Sequence, residues 1–292
     1  MKNSTKAALF LSLGTAMWGS TFLVIKTLLD AMSTGVLLCL RFGVSSAVLL
    51  TTAVLARPVK DGPAPLPFGK LLKPSLLIGL SLLGGYAFQT AGLQYTGPGK
   101  SAFITSLYVA FTPFAAWPIN GRKPLPVHFL SVGAALLVVY LLSDPSGPLN
   151  LGDALTAVSA VFWALEIALI DRLFVKGSDL RITAMMLAVV AIGSVPLIPL
   201  LGGTRLEPGP APALAMLYLA IPATSMLMYW QIRWQPSLGG SLSSLIYIGE
   251  AVVAAAGGAA FFGERFPLTG WIGSTLIVCS ILIAFGTERR AA

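Results

Sequence analysis

Apolar runs of similar length recur along the chain, each ended by proline, glycine or charge. Ten of them fall near residues 7–28, 34–55, 71–92, 99–120, 125–142, 151–171, 181–201, 213–232, 241–262 and 267–286. At a rise of about 1.5 Å per residue, roughly 20 such residues in one helix cross the hydrocarbon core of a bilayer. Polar positions inside these runs keep helical register. In the fourth run Ser101, Thr105, Tyr108 and Thr112 step by 4, 3 and 4, so they share one face. In the ninth, Ser243, Tyr247, Glu250 and Ala254 repeat those steps 142 residues later. Gly14, Trp18 and Thr21 of the first run answer to Ser159, Trp163 and Glu166 of the sixth at an offset of 145. The turns after the fourth and ninth runs, Gly121-Arg122-Lys123 and Gly263-Glu264-Arg265, also match. Residues 1–146 and 147–292 therefore read as two copies of a five-helix unit. Five crossings are odd, so the second copy is inverted relative to the first. Inverted repeats of this kind predict alternating access, with the site near midplane where the copies meet.

Composition agrees with a bilayer as the surrounding solvent. Of 292 residues, 56% are hydrophobic and 10% charged, with mean hydropathy +0.84. A soluble domain carries about 25% charge. The formal net charge of +8 does not indicate a nucleic-acid partner, because Lys and Arg sit singly or in small groups between apolar runs. With the N-terminus in the cytoplasm, fourteen Lys and Arg fall inside and only Lys26, Lys100, Arg205 and Arg265 fall outside. This predicts cytoplasmic N- and C-termini. Lys2 and Lys6 precede the first run, but it is too long for a signal-peptide core and reads as a mature span. Cys39 and Cys279 lie inside apolar runs and read as small buried hydrophobes rather than a disulfide. One histidine, His128, assembles neither a His-based metal site nor a triad. No phosphate-binding GxxxxGKS loop occurs, which argues against an ATP-driven pump. No cofactor is expected.

Glu250 is the candidate around which the chain is organised. It lies in the middle of the ninth run, roughly 14 Å from one end and 18 Å from the other. An ionised group at that depth costs about 2.5 kcal/mol or more, so it should face the protein interior or a wet cavity. It reads either as a proton or cation site, or as a structural acceptor between helices. Glu166 lies nearer an edge, beside Asp171 and Arg172, and reads either as a cavity acid or as a group reaching water. Trp18 and Trp163 are too deep for interfacial anchors; they stack on a solute or pack helix to helix. Tyr108 and Tyr247 share faces with the polar stripes and need partners for their phenols. Thr21, Thr105, Tyr86 and Gln89 complete the expected lining, with interhelical bonding as their alternative role. Arg41 is expected to snorkel or pair with a carboxylate, and Lys26 and Asp30 to mark a solvated outer end. Pro113, Pro118, Pro196, Pro199 and Pro222 should kink or open their spans. Small residues of the ninth run, with Ser131 and Ala135 in the fifth and Gly270 and Ser274 in the tenth, allow close helix approach.

Several stretches together resemble the drug/metabolite transporter superfamily, EamA type. They are AMWGSTFLVIK in the first run, LRFG in the second, and GKSAFITSLYVAFTPF through GRK in the fourth. The second half adds GDALTAVSAVFWAL and the run from Glu250-Ala251 to FFGERF. The chain departs from the family where Glu-Pro is common, having Glu250-Ala251, and where Gly-Glu-Arg is common, having Gly121-Arg122-Lys123. The resemblance implies an all-α membrane protein of ten transmembrane helices in two inverted five-helix repeats around a central cavity. It also implies transport of a small organic solute, often export of amino acids or related metabolites, in a bacterial inner (plasma) membrane.

The expected occupant is a small amphipathic or cationic molecule, carried by a monomer or homodimer that rocks around spans one, three, four, six, eight and nine. Proton coupling is assigned to Glu250, with an uncoupled facilitator and an uptake or exchange carrier as alternatives. A non-transporting scaffold or an intramembrane enzyme are the rivals from other classes. The enzyme would need clustered catalytic groups facing one leaflet, and the sequence offers none.

Overall fold

The computed structural model describes residues 3–56, 66–121, 123–126, 129, 132–133 and 150–265. The apolar runs fold as helices: α1 (Asn3–Ala31), α2 (Thr34–Leu55), α3 (Phe68–Gly92), α4 (Pro98–Thr105), α5 (Tyr108–Asn120), α6 (Leu151–Leu173), α7 (Asp179–Ser194), α8 (Leu197–Leu200), α9 (Pro210–Ala220), α10 (Leu227–Trp234), α11 (Gly240–Tyr247) and α12 (Gly249–Phe262). Seven segments among the described residues are long and apolar enough to cross a membrane. The expected spans near 125–142 and 267–286, with Ser131, Ala135, Gly270, Ser274 and Cys279, lie almost wholly outside the described residues.

Four runs depart from simple rods. The seventh ends as a helix at Ser194 and resumes at Leu197, because Pro196 lacks the N–H the ladder needs. In the eighth, Pro222 opens a six-residue π-helical turn, Ile221–Met226, between α9 and α10. The Ala220 carbonyl there accepts from the hydroxyls of Ser45 at 2.7 Å and Ser225 at 2.9 Å. The fourth and ninth runs each tighten for one turn, at Ser106–Leu107 and at Ile248, positions that correspond across the repeat. Pro113 and Pro118, by contrast, are carried inside α5 without ending it.

Packing follows the same correspondence. α3 lies on α6 as α9 and α10 lie on α1; α5 lies on α6 as α12 lies on α1; α2 pairs with α7. Exchanging the halves therefore returns the same set of contacts. Gly121 and Gly263 both end their helices in the left-handed region, at φ 75° and 66°. Two buried apolar clusters hold the bundle. The larger joins Leu11, Phe42, Ile78, Leu82, Ala160 and Leu187; the smaller joins Phe22, Ile25, Leu37, Leu219 and Ala254. Leu9, Val54, Leu72, Ile192, Leu214, Val252 and Phe261 point outward, an apolar exterior that lipid covers.

α1 and α12 touch at backbone distance through Gly19. A Cβ there would sit 2.5 Å from the Glu250 carbonyl oxygen and 2.7 Å from Val253 Cβ. Gly43 of α2 meets nothing within 4 Å. Gly19→Ala is expected to cost about 1–3 kcal/mol through overpacking, read as a lowered unfolding midpoint in detergent. Gly43→Ala should leave the midpoint unchanged or slightly raised.

Candidate functional site

A cavity opens between the halves. Its walls hold Trp18, Thr21 and Phe22 of α1, Tyr86 and Gln89 of α3, Thr105 of α4 and Tyr108 of α5. The second half supplies Trp163, Glu166 and Ile167 of α6, Met228 and Gln231 of α10, Tyr247 of α11 and Glu250 of α12. All ten residues singled out from the sequence stand on this wall. Phe22, Ile167, Met228 and Gln231 stand there too and were not anticipated.

The fourteen lining residues form seven repeat-matched pairs. Trp18 with Trp163, Thr21 with Glu166 and Phe22 with Ile167 are 145 residues apart. Tyr86 with Met228, Gln89 with Gln231, Thr105 with Tyr247 and Tyr108 with Glu250 are 142 apart. Applying the two offsets to spans three and eight would have found Met228 and Gln231. Phe22 and Ile167 carry no polar signal and look like any core residue. The outer positions of the polar stripes do not reach the cavity. Ser101 meets Thr156 Oγ1 at 3.3 Å, Thr112 donates to the Tyr108 carbonyl at 2.7 Å, and Ser159 to that of Thr156 at 2.6 Å.

The frame is two-fold, but its charge is not. Both carboxyl groups come from the second half, where the first half places Thr21 and Tyr108. Glu166 is fully buried, which removes the reading that it reaches water. Gln231 Nε2 donates to its Oε2 at 3.0 Å and to Gln235 Oε1 at 3.2 Å. Tyr247 also donates to Gln235 Oε1, at 3.3 Å. Glu250 is buried on the opposite wall. Among the described residues neither acid has a cation within 4.0 Å. Gln89 Nε2 donates to Thr105 Oγ1 at 3.1 Å. The aromatic rings meet edge to face, Trp18 on Tyr247 at 5.3 Å and Tyr86 on Trp163 at 4.7 Å.

Four polar atoms on these lining side chains have no protein partner among the described residues. Trp18 Nε1 and Trp163 Nε1 can donate; Glu166 Oε1 and Gln231 Oε1 can accept. The Tyr108 hydroxyl stands beside the Glu250 carboxyl. Buried polar atoms are costly unless something bonds them, so the wall is built to face a polar or charged occupant.

Two expectations at the margins are corrected. Arg41 is wholly buried and pairs with no carboxylate among the described residues. Its Nε donates to Thr224 Oγ1 of the π turn at 2.7 Å, and its guanidinium lies 4.6 Å from the Tyr86 ring centre. The aromatic faces and the hydroxyl of a distorted helix take the place of an ion pair. Lys26 is half-buried rather than solvated. Its Nζ donates to the Leu93 carbonyl at 2.7 Å and the Thr96 carbonyl at 3.1 Å, closing the end of α3. Asp30 is exposed, as expected. Cys39 is a free, half-buried thiol.

A multi-pass helical bundle with a polar cavity between two matched halves defines a membrane carrier class. The EamA-like transporter family matches the chain twice, over residues 5–144 and 150–286, and the chain belongs to that family. Similar curated proteins are transporters by name. One, an uncharacterized transporter of Archaeoglobus fulgidus, is 29% identical over 95% of this chain and 85% of its own. The uncharacterized inner membrane transporter YicL of Salmonella typhimurium is 23% identical over 100% and 99%. The uncharacterized transporter YyaM of Bacillus subtilis is 26% identical over 93% and 90%. A solved crystal structure has the same fold, with TM-score 0.68 and 20% identity over 98% of this chain and 99% of the other.

Gln231→Leu removes the donor that Glu166 depends on. It should cost about 1–3 kcal/mol of stability, measured as a lowered midpoint in detergent. Adding Glu166→Leu should recover part of that loss, because no carboxyl group remains to be desolvated.

Proposed function

We propose that this EamA-family transporter exports a small amphipathic or cationic metabolite, such as an amino acid or a related amine, by alternating access. One observation carries the reading: two carboxyl groups without cation partners among the described residues share an aromatic cavity whose wall keeps unpartnered donors and acceptors. Aromatic faces and carboxylates attract an organic ammonium group. The free indole donors suit an acceptor elsewhere on the same solute. Ten helices in two inverted five-helix repeats, with both termini cytoplasmic, follow from the repeat offsets and the fourteen-to-four charge bias. A bacterial inner membrane is supported by the name of the Salmonella relative. Glu250 exchanges a proton for the solute, so export runs on the proton gradient. An uncoupled facilitator or an uptake or exchange carrier uses the same cavity without that exchange.

The test starts from a metabolite-resistance screen of cells overexpressing the chain. The identified solute is then followed in proteoliposomes under an imposed pH gradient. The parent protein should accelerate with the gradient. Glu250→Gln should lose the gradient-driven component, about tenfold or more, while still binding. Gradient-driven flux unchanged in Glu250→Gln would remove the coupling role.

A further inference from the structure

The amino-terminal halves of the fourth and ninth runs, α4 and α11, each have first-turn backbone N–H groups bound by one carboxylate. For α4 the carboxylate is Glu264, in the turn after α12. The Gly99 N–H donates to its Oε2 at 2.8 Å and the Lys100 N–H to its Oε1 at 3.4 Å. For α11 it is Asp171, at the end of α6, which accepts from the Gly240 N–H on Oδ2 and from Gln235 Nε2 on Oδ1 at 2.8 Å. Free N–H groups at a helix start and the helix dipole both favour a carboxylate there.

The two ties lie at opposite ends of the molecule, and α6 measures the distance. Asp153, in its first turn, takes Lys100 Nζ at 2.7 Å and Thr96 Oγ1 at 2.9 Å, which places the start of α4 there. Asp171 is 18 residues further along the same helix, about 27 Å away. The cavity, with Trp163, Glu166 and Ile167 of α6, lies between them.

Each tied half-helix is separated from the rest of its span by the tightened turn at Ser106–Leu107 or at Ile248. Local 3₁₀-type turns inside a helix are common hinge positions. Each also ends on the cavity, α4 at Thr105 and α11 at Tyr247. On one side a chain of bonds runs from Glu166 through Gln231 and Gln235 to Asp171. On the other, Gln89 holds Thr105. An occupant that disturbs these side chains acts on a half-helix whose first-turn N–H groups are held by a carboxylate at the far end, with the Lys100–Asp153 pair as a second, side-chain tie on α4.

We infer that α4 and α11 are the two gates of the transporter, and that Glu264 and Asp171 are their latches, released in turn. This rests on the alternating-access reading above. Both latches are closed in this structure. The carboxylates are not repeat mates: by the offsets Asp171 answers to Lys26 and Glu264 to Arg122. α4 is latched by the opposite half and α11 by its own, so the two gates can be weakened independently.

The test uses the full chain with Cys39 and Cys279 replaced by alanine and a single cysteine at Thr21 on the cavity wall. Membrane vesicles of both orientations are labelled with a membrane-impermeant methanethiosulfonate. Asp171→Ala is expected to raise the labelling rate about tenfold from the face where α11 begins, and Glu264→Ala by a similar factor from the opposite face. A tenfold change is within what a capping carboxylate contributes. Asp171→Leu and Glu264→Leu also remove the acceptor and fill more of the space, so they carry the same comparison if either alanine variant fails to fold as a monodisperse protein. Labelling raised from the same face by both substitutions, or by neither, would overturn the latches. If the parent is labelled from both faces and the variants shift nothing, only the latches fall. If every form is labelled from one face alone, alternating access falls with them.

Discussion

A polar group inside a bilayer must find its partner within the protein, because hydrocarbon offers none. That constraint organises this molecule more than any propensity of its helices. Where the chain distorts, a side chain meets the freed backbone group: Ser45 and Ser225 at the π turn, Lys26 at the end of α3, Asp171 and Glu264 at two helix starts. Among the described residues, four polar atoms on the cavity wall remain without protein partners, alongside others such as Ser75, Thr90 and Asp179 elsewhere in the bundle. The same rule that tightens the rest of the bundle thus marks the place where something else is meant to bind.

The cavity is symmetric in position and asymmetric in chemistry. Its seven matched pairs occupy corresponding positions of the two halves, held by helices that pack in equivalent ways. Within each pair the halves have diverged, so that both acids stand on the second half while the first supplies Thr21 and Tyr108. Arg41, one helix removed, faces the Tyr86 ring and gives the first half a permanent positive charge behind its wall.

Glycine is what allows this geometry. α1 reaches the backbone of α12 through Gly19, which places Trp18 and Thr21 beside the segment that carries Glu250. At the far end of α3, Gly92 and Gly152 bring the start of α6 so near that a Cβ on either would meet the other's carbonyl oxygen, at 2.8 and 2.6 Å. Close backbone contact leaves little room for slack, so small movements of α4 or α11 are felt at the wall.

The sequence by itself determined the membrane-embedded helical class, the two-fold repetition and ten wall positions, because hydropathy, a helical period and a fixed offset are all local or self-referential signals. Glu250 could be picked out because a charge at midplane has a cost that needs no structure to estimate. The burial of Glu166, the neutral partners of Arg41 and the carbonyl contacts of Lys26 were decided by tertiary structure, since each depends on which neighbour stands opposite. Phe22 and Ile167 escaped notice because an apolar side chain reads the same against a cavity as against a core. The two carboxylate ties also belong to the fold alone. Asp171 and Gly240 are 69 residues apart and Glu264 and Gly99 are 165 apart, and no period or offset in the chain links a carboxylate to the backbone N–H that it meets.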